Sequence, residues 1–205
     1  METQEYLTNF SFMFAPLFHP IFNSVVPLRR ELKIKTIFNL LGPLLNPAGV
    51  RRQIIGTGSL ETAEIISKVI QKLDYEHVLV VNSYDGMDEI SIYKPTHVFE
   101  IKGTKVKKFI IKPEEFGLRG KNPNNIKVNS IEESKMKLIE VLRGIKGDAR
   151  NIVLLNSAAA LIVAGKCRNI KEGKRLAEKA IDDGSAYLEL NKFIEFGKKV
   201  RKQND

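Results

Sequence analysis

The feature that most constrains the fold of this chain is an alternation of strand, helix and strand in residues 52–82. The short segment Arg52–Gly56 and the apolar run His77–Asn82 are predicted to be strands. Between them, apolar residues recur at helical spacing over Leu60–Leu73, and Ser59 is a favourable N-cap residue for that helix. Strands and helices that alternate in this way, followed by further helices, are typical of an α/β layer structure.

The rest of the sequence adds a hairpin and a set of helices to this layer. Thr96–Ile101 and Val106–Lys112 flank the turn Lys102-Gly-Thr-Lys105 and are predicted to form a β-hairpin. Four further helices are predicted, separated by glycine or asparagine: Ile131–Arg143, Ala149–Ala164, Ile170–Asp183 and Ala186–Val200. The predicted fold class is therefore α/β, with a mixed sheet flanked by helices.

The N-terminal region is predicted to be a separate part of the chain. The proposed division places residues 1–48 in this region and residues 49–205 in the α/β domain. Phenylalanines alternate with smaller residues over Asn9–Ala15, which predicts a strand. Two helices are predicted after it, Ile21–Leu32 and Thr36–Leu41.

Composition and charge limit the classes of function. The chain has 205 residues, a net charge of +9 and a single cysteine, Cys167. One cysteine excludes an internal disulfide and a cysteine-rich metal site, so a cytoplasmic location is expected. No apolar run approaches the length of a membrane span. The clustered lysines of residues 102–121 would suit nucleic acid, but the hairpin pattern places them on a solvent face, and a solvated lysine-rich surface is favoured.

An acidic pair stands just past the buried strand. Asp88 and Glu89 follow a turn that contains Asp85 and Gly86. Taken alone, two adjacent carboxylates at this place favour a solvated turn over a site. The segment Gly56-Thr-Gly-Ser59 lies before a helix, where backbone amides can cradle a phosphate, but the full phosphate-binding glycine patterns are absent and an ordinary turn is favoured.

Three blocks of sequence carry a resemblance to a known family. The blocks are Phe14-Ala-Pro-Leu-Phe-His-Pro20 with Val26-Pro-Leu-Arg-Arg-Glu-Leu32, then Lys35-Thr-Ile-Phe-Asn-Leu-Leu-Gly-Pro-Leu-Leu-Asn-Pro47, and finally Gly86-Met-Asp-Glu-Ile-Ser91. In this order and spacing they closely resemble the anthranilate phosphoribosyltransferase family. The resemblance covers nearly the whole chain, and it implies a fold like the C-terminal domain of nucleoside phosphorylases and phosphoribosyltransferases.

The resemblance also implies an enzymatic activity and a metal. Members of the family transfer the phosphoribosyl group of phosphoribosyl pyrophosphate to the amine of anthranilate and release pyrophosphate, a step of tryptophan biosynthesis. Carried over to this sequence, the magnesium-binding pair of the family corresponds to Asp88 and Glu89. Mg²⁺ takes few carboxylates and leaves positions for phosphate oxygens, which suits a loop with two acids.

The anthranilate site implied by the resemblance lies in the N-terminal region. Arg29 falls at the position that binds the anthranilate carboxylate, where a planar guanidinium can hold both oxygens. His19 would line the entrance of that site, and Gly42 and Pro43 would shape its wall. Each residue also has an ordinary interpretation: Arg29 as a surface cation, His19 as a turn residue before proline, and Gly42 as a helix stop.

Part of the family's sequence has no counterpart in this chain. The family carries, upstream of the matching residues, a helical domain and a glycine-rich loop that binds pyrophosphate. The chain is therefore expected to be a C-terminal portion that is inactive alone, with residues 1–48 as a remnant that links to the helical domain. Its expected partners are anthranilate and phosphoribosyl pyrophosphate, with either a homodimer or the N-terminal half supplied in trans. The alternatives are a basic, non-enzymatic nucleic-acid-binding relative and a related nucleoside phosphorylase.

Overall fold

The computed structural model describes residues 9–11, 13, 18 and 41–204, with side chains up to residue 200. The chain divides into two compact units, Val50–Tyr187 and a second unit made of Met1–Gly49 with Leu188–Asp205. A division into compact units is not a division into folding domains, so the boundary between residues 48 and 49 stays a prediction. Within the part of the chain that is described, no helix combines the length and the apolarity needed to cross a membrane.

The unit Val50–Tyr187 contains four strands and most of the helices. In chain order they are β1 (Arg52–Gly56), α1 (Leu60–Ile70), β2 (His77–Ser83), β3 (Thr96–Lys102), β4 (Lys105–Ile111), α2 (Ile131–Leu142), α3 (Asp148–Val163) and α4 (Ile170–Asp182). A last helix, α5 (Ser185–Asn204), begins at the end of this unit. These elements confirm the strands and helices predicted after residue 50, with differences of a few residues at their ends.

The four strands form one mixed sheet in the order β1-β2-β3-β4. β1 and β2 are parallel, with Gly56 opposite Val81. β2 with β3 and β3 with β4 are antiparallel, and β3 and β4 are the arms of the predicted hairpin. Since α1 connects two parallel strands, β1, α1 and β2 form a βαβ unit, and the carboxyl ends of β1 and β2 lie at the same edge of the sheet.

The core forms on both faces of β2, whose seven residues are all buried. Side chains alternate between the faces of a strand, so Leu79 and Val81 point to one face and Val78 and Val80 to the other. Leu79 and Val81 belong to a buried cluster with residues of α3 and α4, and α1 packs against β2 and β3. Each fully buried aliphatic side chain of this kind contributes about 1.5–3 kcal/mol to folding. The continuous apolar run in the sequence thus reflects a strand that is covered on both faces.

The N-terminal prediction is corrected in one respect. Of the predicted strand Asn9–Ala15, the described residues 9–11 and 13 lie in no strand. Instead, the Asn9 amide donates to Glu189 Oε1 at 2.7 Å, and the Phe10 ring packs on the Phe193 ring with centroids 4.4 Å apart. The alternating phenylalanines mimic a strand pattern, but Asn9 and Phe10 contact side chains of α5. The predicted helix Ile21–Leu32 lies outside the described residues, as does Thr36–Leu41 except for its last residue, which is helical.

Close packing of α3 against α4 depends on Gly173. A Cβ atom at this position would lie 2.8 Å from both Cα and O of Ala158 on α3. We expect Gly173→Ala to lower the free energy of unfolding by about 2 kcal/mol, because overpacking outweighs the gain in helix propensity. Urea denaturation followed by circular dichroism measures this difference. The matched control is Gly197→Ala in α5, where an added Cβ meets no described atom within 4 Å. It should be neutral or stabilising, and equal stability of both variants would contradict the packing argument.

Candidate functional site

Two loops meet at the carboxyl edge of the parallel strand pair. One follows β1 at Gly56, and the other follows β2 and contains the segment Tyr84–Glu89, which we call the acidic loop. Ligands of α/β sheets commonly bind outside the carboxyl ends of parallel strands. The acidic loop therefore lies where the fold class favours a binding site.

Internal hydrogen bonds fix the shape of the acidic loop. Ser91 Oγ donates to Asp85 Oδ2 at 2.6 Å, and the Met87 amide donates to Asp85 Oδ1 at 3.3 Å. The Ser83 amide donates to the carbonyl of Met87 at 3.1 Å, and Gly86 supplies the positive φ of 84° that the turn needs. Partial burial opposes ionisation of Asp85, but hydrogen bonds led by that of Ser91 outweigh it and lower its pKa. Asp85 is thus an ionised carboxylate that holds the turn together.

The two acids that follow, Asp88 and Glu89, are adjacent carboxylates at the end of the acidic loop. Both residues are exposed, and Glu89 also lines a largely apolar cavity of about 470 Å³ beside α2 and α3. Loss of hydration raises the pKa of Glu89, and the neighbouring charge of Asp88 raises it further. A bound cation would relieve this repulsion, since it favours the charged form of both groups.

The donor set fits Mg²⁺ that is shared with a ligand. Hard carboxylate oxygens are what Mg²⁺ prefers, and one or two carboxylates with substrate phosphates is its usual arrangement. Within the described residues, no group of three or more His, Cys, Asp or Glu side chains is placed to hold a metal ion. The acidic pair could therefore provide part of a coordination shell, with the remaining oxygens coming from water or from a bound phosphate.

Gly56 lets the acidic loop lie against the end of β1. A Cβ atom at this position would lie 1.6 Å from the carbonyl oxygen of Asp88 and 2.6 Å from its carbonyl carbon. Only a residue without a side chain allows this approach, so the position of Asp88 depends on a residue from the neighbouring strand. At Gly58, two residues later, an added Cβ meets no described atom within 4 Å.

The turn Gly56–Ser59 is held by its own contacts. The Thr57 amide donates to the carbonyl of Val81 at 2.9 Å, and Asn82 Nδ2 donates to the carbonyl of Thr57 at 2.7 Å. Ser59 Oγ accepts from the Thr62 amide at 3.2 Å and caps α1, as predicted. These bonds agree with the interpretation of this segment as an ordinary βα turn.

A buried carboxylate outside this edge has a structural role. Asp148 begins α3 and is buried. Its oxygens accept hydrogen bonds from four residues: Lys121 N at 3.2 Å, Asn122 N at 3.2 Å, Asn125 Nδ2 at 2.8 Å and Tyr93 Oη at 3.2 Å. Burial opposes its ionisation, but the Asn122 amide and the other donors outweigh this effect and lower the pKa of Asp148. Burial and the charge of Asp148 raise the pKa of Tyr93 to about 12. Asp148 thus holds residues 121–125 against α3.

Replacing Asp148 tests this role. We expect Asp148→Asn to lower the free energy of unfolding by about 3 kcal/mol at pH 7, because an amide has one accepting oxygen where the carboxylate has two, and it carries no charge. The folded-state pKa is lowered, so the contribution of the carboxylate is present above the unfolded value of about 3.9 and is lost as the pH falls through the folded value. Urea denaturation measures the free energy of unfolding of both proteins at pH 7 and at acidic pH. The difference between the wild type and Asp148→Asn should be smaller at acidic pH.

A surface aspartate provides the control for this prediction. Asp74 pairs with Arg51 at 2.6 Å, but its side chain is 88% exposed. Asp74→Asn should change stability by less than about 1 kcal/mol at either pH. The structural role of Asp148 would be contradicted if Asp148→Asn lost as little unfolding free energy as Asp74→Asn, or if its loss did not change with pH.

The structure describes only some of the residues predicted for the site. Asp88 and Glu89 lie on the acidic loop. The 3₁₀ turn Gly42–Leu44, which contains both predicted wall residues, belongs to the other compact unit. His19 and Arg29 lie outside the described residues.

Three residues that shape the acidic loop had no role in the sequence interpretation of the site: Gly56, Ser91 and Asn156. Gly56 had one signal, its place in a strand-to-helix turn. Ser91 ends one of the blocks that carry the family resemblance. Nothing in the sequence shows that its hydroxyl pairs with Asp85, or that the side chain of Asn156 pairs with Ile90, because these partners can be identified only from the folded chain.

Comparison with known proteins gives consistent results along the chain. The model of a family described as "Glycosyl transferase family, a/b domain" matches residues 4–187. The chain is 40% identical over 191 residues to an anthranilate phosphoribosyltransferase of Aquifex aeolicus (strain VF5), covering 93% of this chain and 56% of that protein. It is 45% identical over 183 residues to one of Rhodopseudomonas palustris (strain HaA2), covering 89% and 54%.

Solved structures agree with this result. Anthranilate phosphoribosyltransferase from Thermus thermophilus superposes with a TM-score of 0.81 at 34% identity, covering 91% of this chain and 55% of that one. The enzyme from Saccharomyces cerevisiae in complex with PRPP and Mg superposes with a TM-score of 0.83 at 31% identity, covering 92% and 54%. The chain thus spans about half the length of the relatives it matches. Since the family model covers most of its residues, the chain belongs to the glycosyl transferase family, a/b domain.

Proposed function

We propose that the protein containing this chain transfers the phosphoribosyl group of phosphoribosyl pyrophosphate to the amine of anthranilate, giving N-(5-phosphoribosyl)anthranilate and pyrophosphate. The observation that carries the proposal is the acidic pair Asp88 and Glu89, held by a defined loop at the carboxyl edge of the parallel strands. Identity of 40% or more to anthranilate phosphoribosyltransferases over most of the chain supports it.

In this proposal, the acidic pair holds Mg²⁺. The ion would neutralise negative charge on the diphosphate and so make pyrophosphate a better leaving group. The other residues of the chain contribute by holding the acidic pair in position. Asp85 keeps the turn closed, and Gly56 allows Asp88 to lie against the end of β1. Desolvation and the charge of Asp88 raise the pKa of Glu89, and a cation beside the pair would oppose both effects. The structure of a variant of the Saccharomyces cerevisiae anthranilate phosphoribosyltransferase with Mg bound supports the choice of metal.

The proposal assigns anthranilate to the N-terminal residues identified by resemblance. Arg29 would bind the anthranilate carboxylate, and His19, Gly42 and Pro43 would line the site. The support is that each of them falls within a sequence block of the family, and a guanidinium is suited to a carboxylate.

A cytoplasmic location belongs to the same proposal. Cys167 is a free, buried thiol. Burial, together with the charge of Glu172, raises its pKa. A thiol with a raised pKa is a poor nucleophile, which suits a structural residue. As the single cysteine of the chain, Cys167 has no internal disulfide partner, which is typical of proteins of a reducing compartment.

Turnover of the two substrates tests the function. Because the chain spans about half of its relatives, the assay uses three forms: the 205-residue chain alone, the chain mixed with the unmatched part of the Aquifex aeolicus relative, and a chimera in which the chain replaces the matched segment of that relative. Loss of anthranilate fluorescence that requires phosphoribosyl pyrophosphate and Mg²⁺ in any form supports the proposal. A folded chimera that turns over neither substrate contradicts it.

Arg29 gives a more specific prediction in the active form. We expect Arg29→Ala to raise the KM for anthranilate by about tenfold to a hundredfold, because loss of the carboxylate contact removes binding shared by the ground state and the transition state. The KM for phosphoribosyl pyrophosphate should change much less. The adjacent Arg30→Ala is the matched control. The assignment of Arg29 to the anthranilate site would be wrong if Arg29→Ala changed both KM values equally, or if Arg30→Ala raised the KM for anthranilate as much.

A further inference from the structure

We propose that Asn156 of α3 is a positioning residue that fixes the acidic pair for cation binding by holding the backbone of Ile90, the residue that follows Glu89. The inference deepens the proposed function and rests on it, since it assigns the cation to Asp88 and Glu89. Asn156 lies 66 positions after Ile90 in the sequence.

The side-chain amide of Asn156 pairs with both backbone groups of Ile90. The Ile90 amide donates to Asn156 Oδ1 at 2.9 Å, and Asn156 Nδ2 donates to the Ile90 carbonyl at 3.0 Å. Asn156 Nδ2 also donates to the carbonyl of Ile152, one turn earlier on α3, at 3.0 Å. The pattern fixes the orientation of the amide, because a flipped amide would place donor against donor and acceptor against acceptor.

Both sides of the acidic pair are therefore anchored. On one side, the carbonyl of Asp88 lies where only a glycine at position 56 gives it room. On the other side, Asn156 of α3 holds the backbone of Ile90. The side chain of Ile90 is completely buried in a cluster that includes Leu154, also on α3. The backbone of Asp88 and Glu89 is thus held between β1 and α3, although their own side chains are exposed.

The chemistry of the contact explains why asparagine is suited to it. The backbone of Ile90 offers one donor and one acceptor, and the primary amide matches both with two bonds. Leucine has nearly the same shape but would leave both backbone groups unpaired, whereas aspartate would place an acceptor against the Ile90 carbonyl. Mg²⁺ demands near-ideal geometry from its ligands, so a small displacement of the pair should weaken cation binding more than it weakens the fold.

The experiment uses the full 205-residue chain, Mn²⁺ as the probe and backbone amide NMR as the readout. Mn²⁺ shares the oxygen-ligand preference of Mg²⁺ and broadens amide signals near its site even when binding is weak. The variants are Asn156→Leu and Asn156→Ala, so that one serves if the other fails to fold. The control is Asn151→Ala on the same helix, a residue with no side-chain hydrogen bond within the described part of the chain.

Two results are expected together. The Ile90 amide should exchange with solvent at least about tenfold faster in the Asn156 variants, relative to the Val80 amide in β2, because its acceptor is gone. The Mn²⁺ concentration that broadens the amides of Asp88 and Glu89 should rise about tenfold, as expected for ligands displaced from their working geometry. Asn151→Ala should change neither value.

The outcomes separate this inference from the proposed function. Equal Mn²⁺ affinity in the wild type and in the Asn156 variants overturns the positioning role, as does an unchanged exchange rate of the Ile90 amide. If wild-type broadening at Asp88 and Glu89 is absent, or persists in the double variant Asp88→Asn with Glu89→Gln, the metal assignment of the proposed function is overturned, and the positioning role with it.

Discussion

Replacing Asp88 and Glu89 together by their amides is expected to lower kcat/KM for phosphoribosyl pyrophosphate about a thousandfold in the active form of the protein. A metal ion that neutralises charge on a leaving group contributes several kcal/mol of transition-state stabilisation, and each 1.4 kcal/mol corresponds to about a factor of ten. Asparagine and glutamine keep the size of the side chains but remove both negative charges. The KM for anthranilate should change far less, because the acids are assigned to the diphosphate.

A second acidic pair in the same unit serves as the matched control. Glu114 and Glu115 are adjacent, exposed and located in a 3₁₀ turn after β4. Glu114→Gln with Glu115→Gln makes the same change in net charge, so it separates a local role of Asp88 and Glu89 from a general effect on the charge of the protein. Steady-state kinetics at several Mg²⁺ concentrations is the measurement. A double variant at Asp88 and Glu89 that keeps wild-type activity, with the same Mg²⁺ dependence, would exclude these residues as the metal ligands.

Gly56→Ala is expected to have the second largest effect, although it adds only one methyl group. The added Cβ would lie 1.6 Å from the carbonyl oxygen of Asp88, so either the acidic loop or the end of β1 must move. The cost in stability is about 1–3 kcal/mol for overpacking of this kind. Activity should fall about a hundredfold, because a shift of about 1 Å in a positioned group has an effect of that size.

Gly58→Ala provides the comparison for Gly56→Ala. It introduces the same methyl group in the same turn, at a place where no described atom lies within 4 Å. We therefore expect near wild-type activity and stability from it. Urea denaturation and the turnover assay, applied to both variants, test the prediction. If Gly56→Ala behaves like Gly58→Ala, the acidic loop does not depend on its contact with β1.

Much of the fold follows from local sequence patterns. The apolar run His77–Asn82 predicts a buried strand, and the observed strand, His77–Ser83, is buried throughout. Ser59, Ser130 and Asn169 stand at the N-caps of the helices that follow them. The hairpin from β3 to β4 is also predicted, because two strand patterns flank a short turn that contains Gly103, and Gly103 adopts a positive φ in the structure. The same kind of pattern was misleading at Asn9–Ala15, where the described residues lie in no strand and Asn9 and Phe10 contact side chains of α5.

The acidic pair Asp88 and Glu89 was identified through the family resemblance, and its role as a metal site stays a prediction. By itself, the sequence determined the fold class and, after residue 50, the order of strands and helices. It could do so because hydrophobic periodicity, capping residues and turn glycines act over a few neighbouring residues. Only the tertiary structure decided how the pair is held. Gly56, at the end of β1, lies against the carbonyl of Asp88 in the loop after β2. Asn156 is hydrogen-bonded to Ile90, 66 positions earlier in the sequence. Hydrogen bonds and close approaches between such distant residues exist only once the chain has folded, so no local pattern records them.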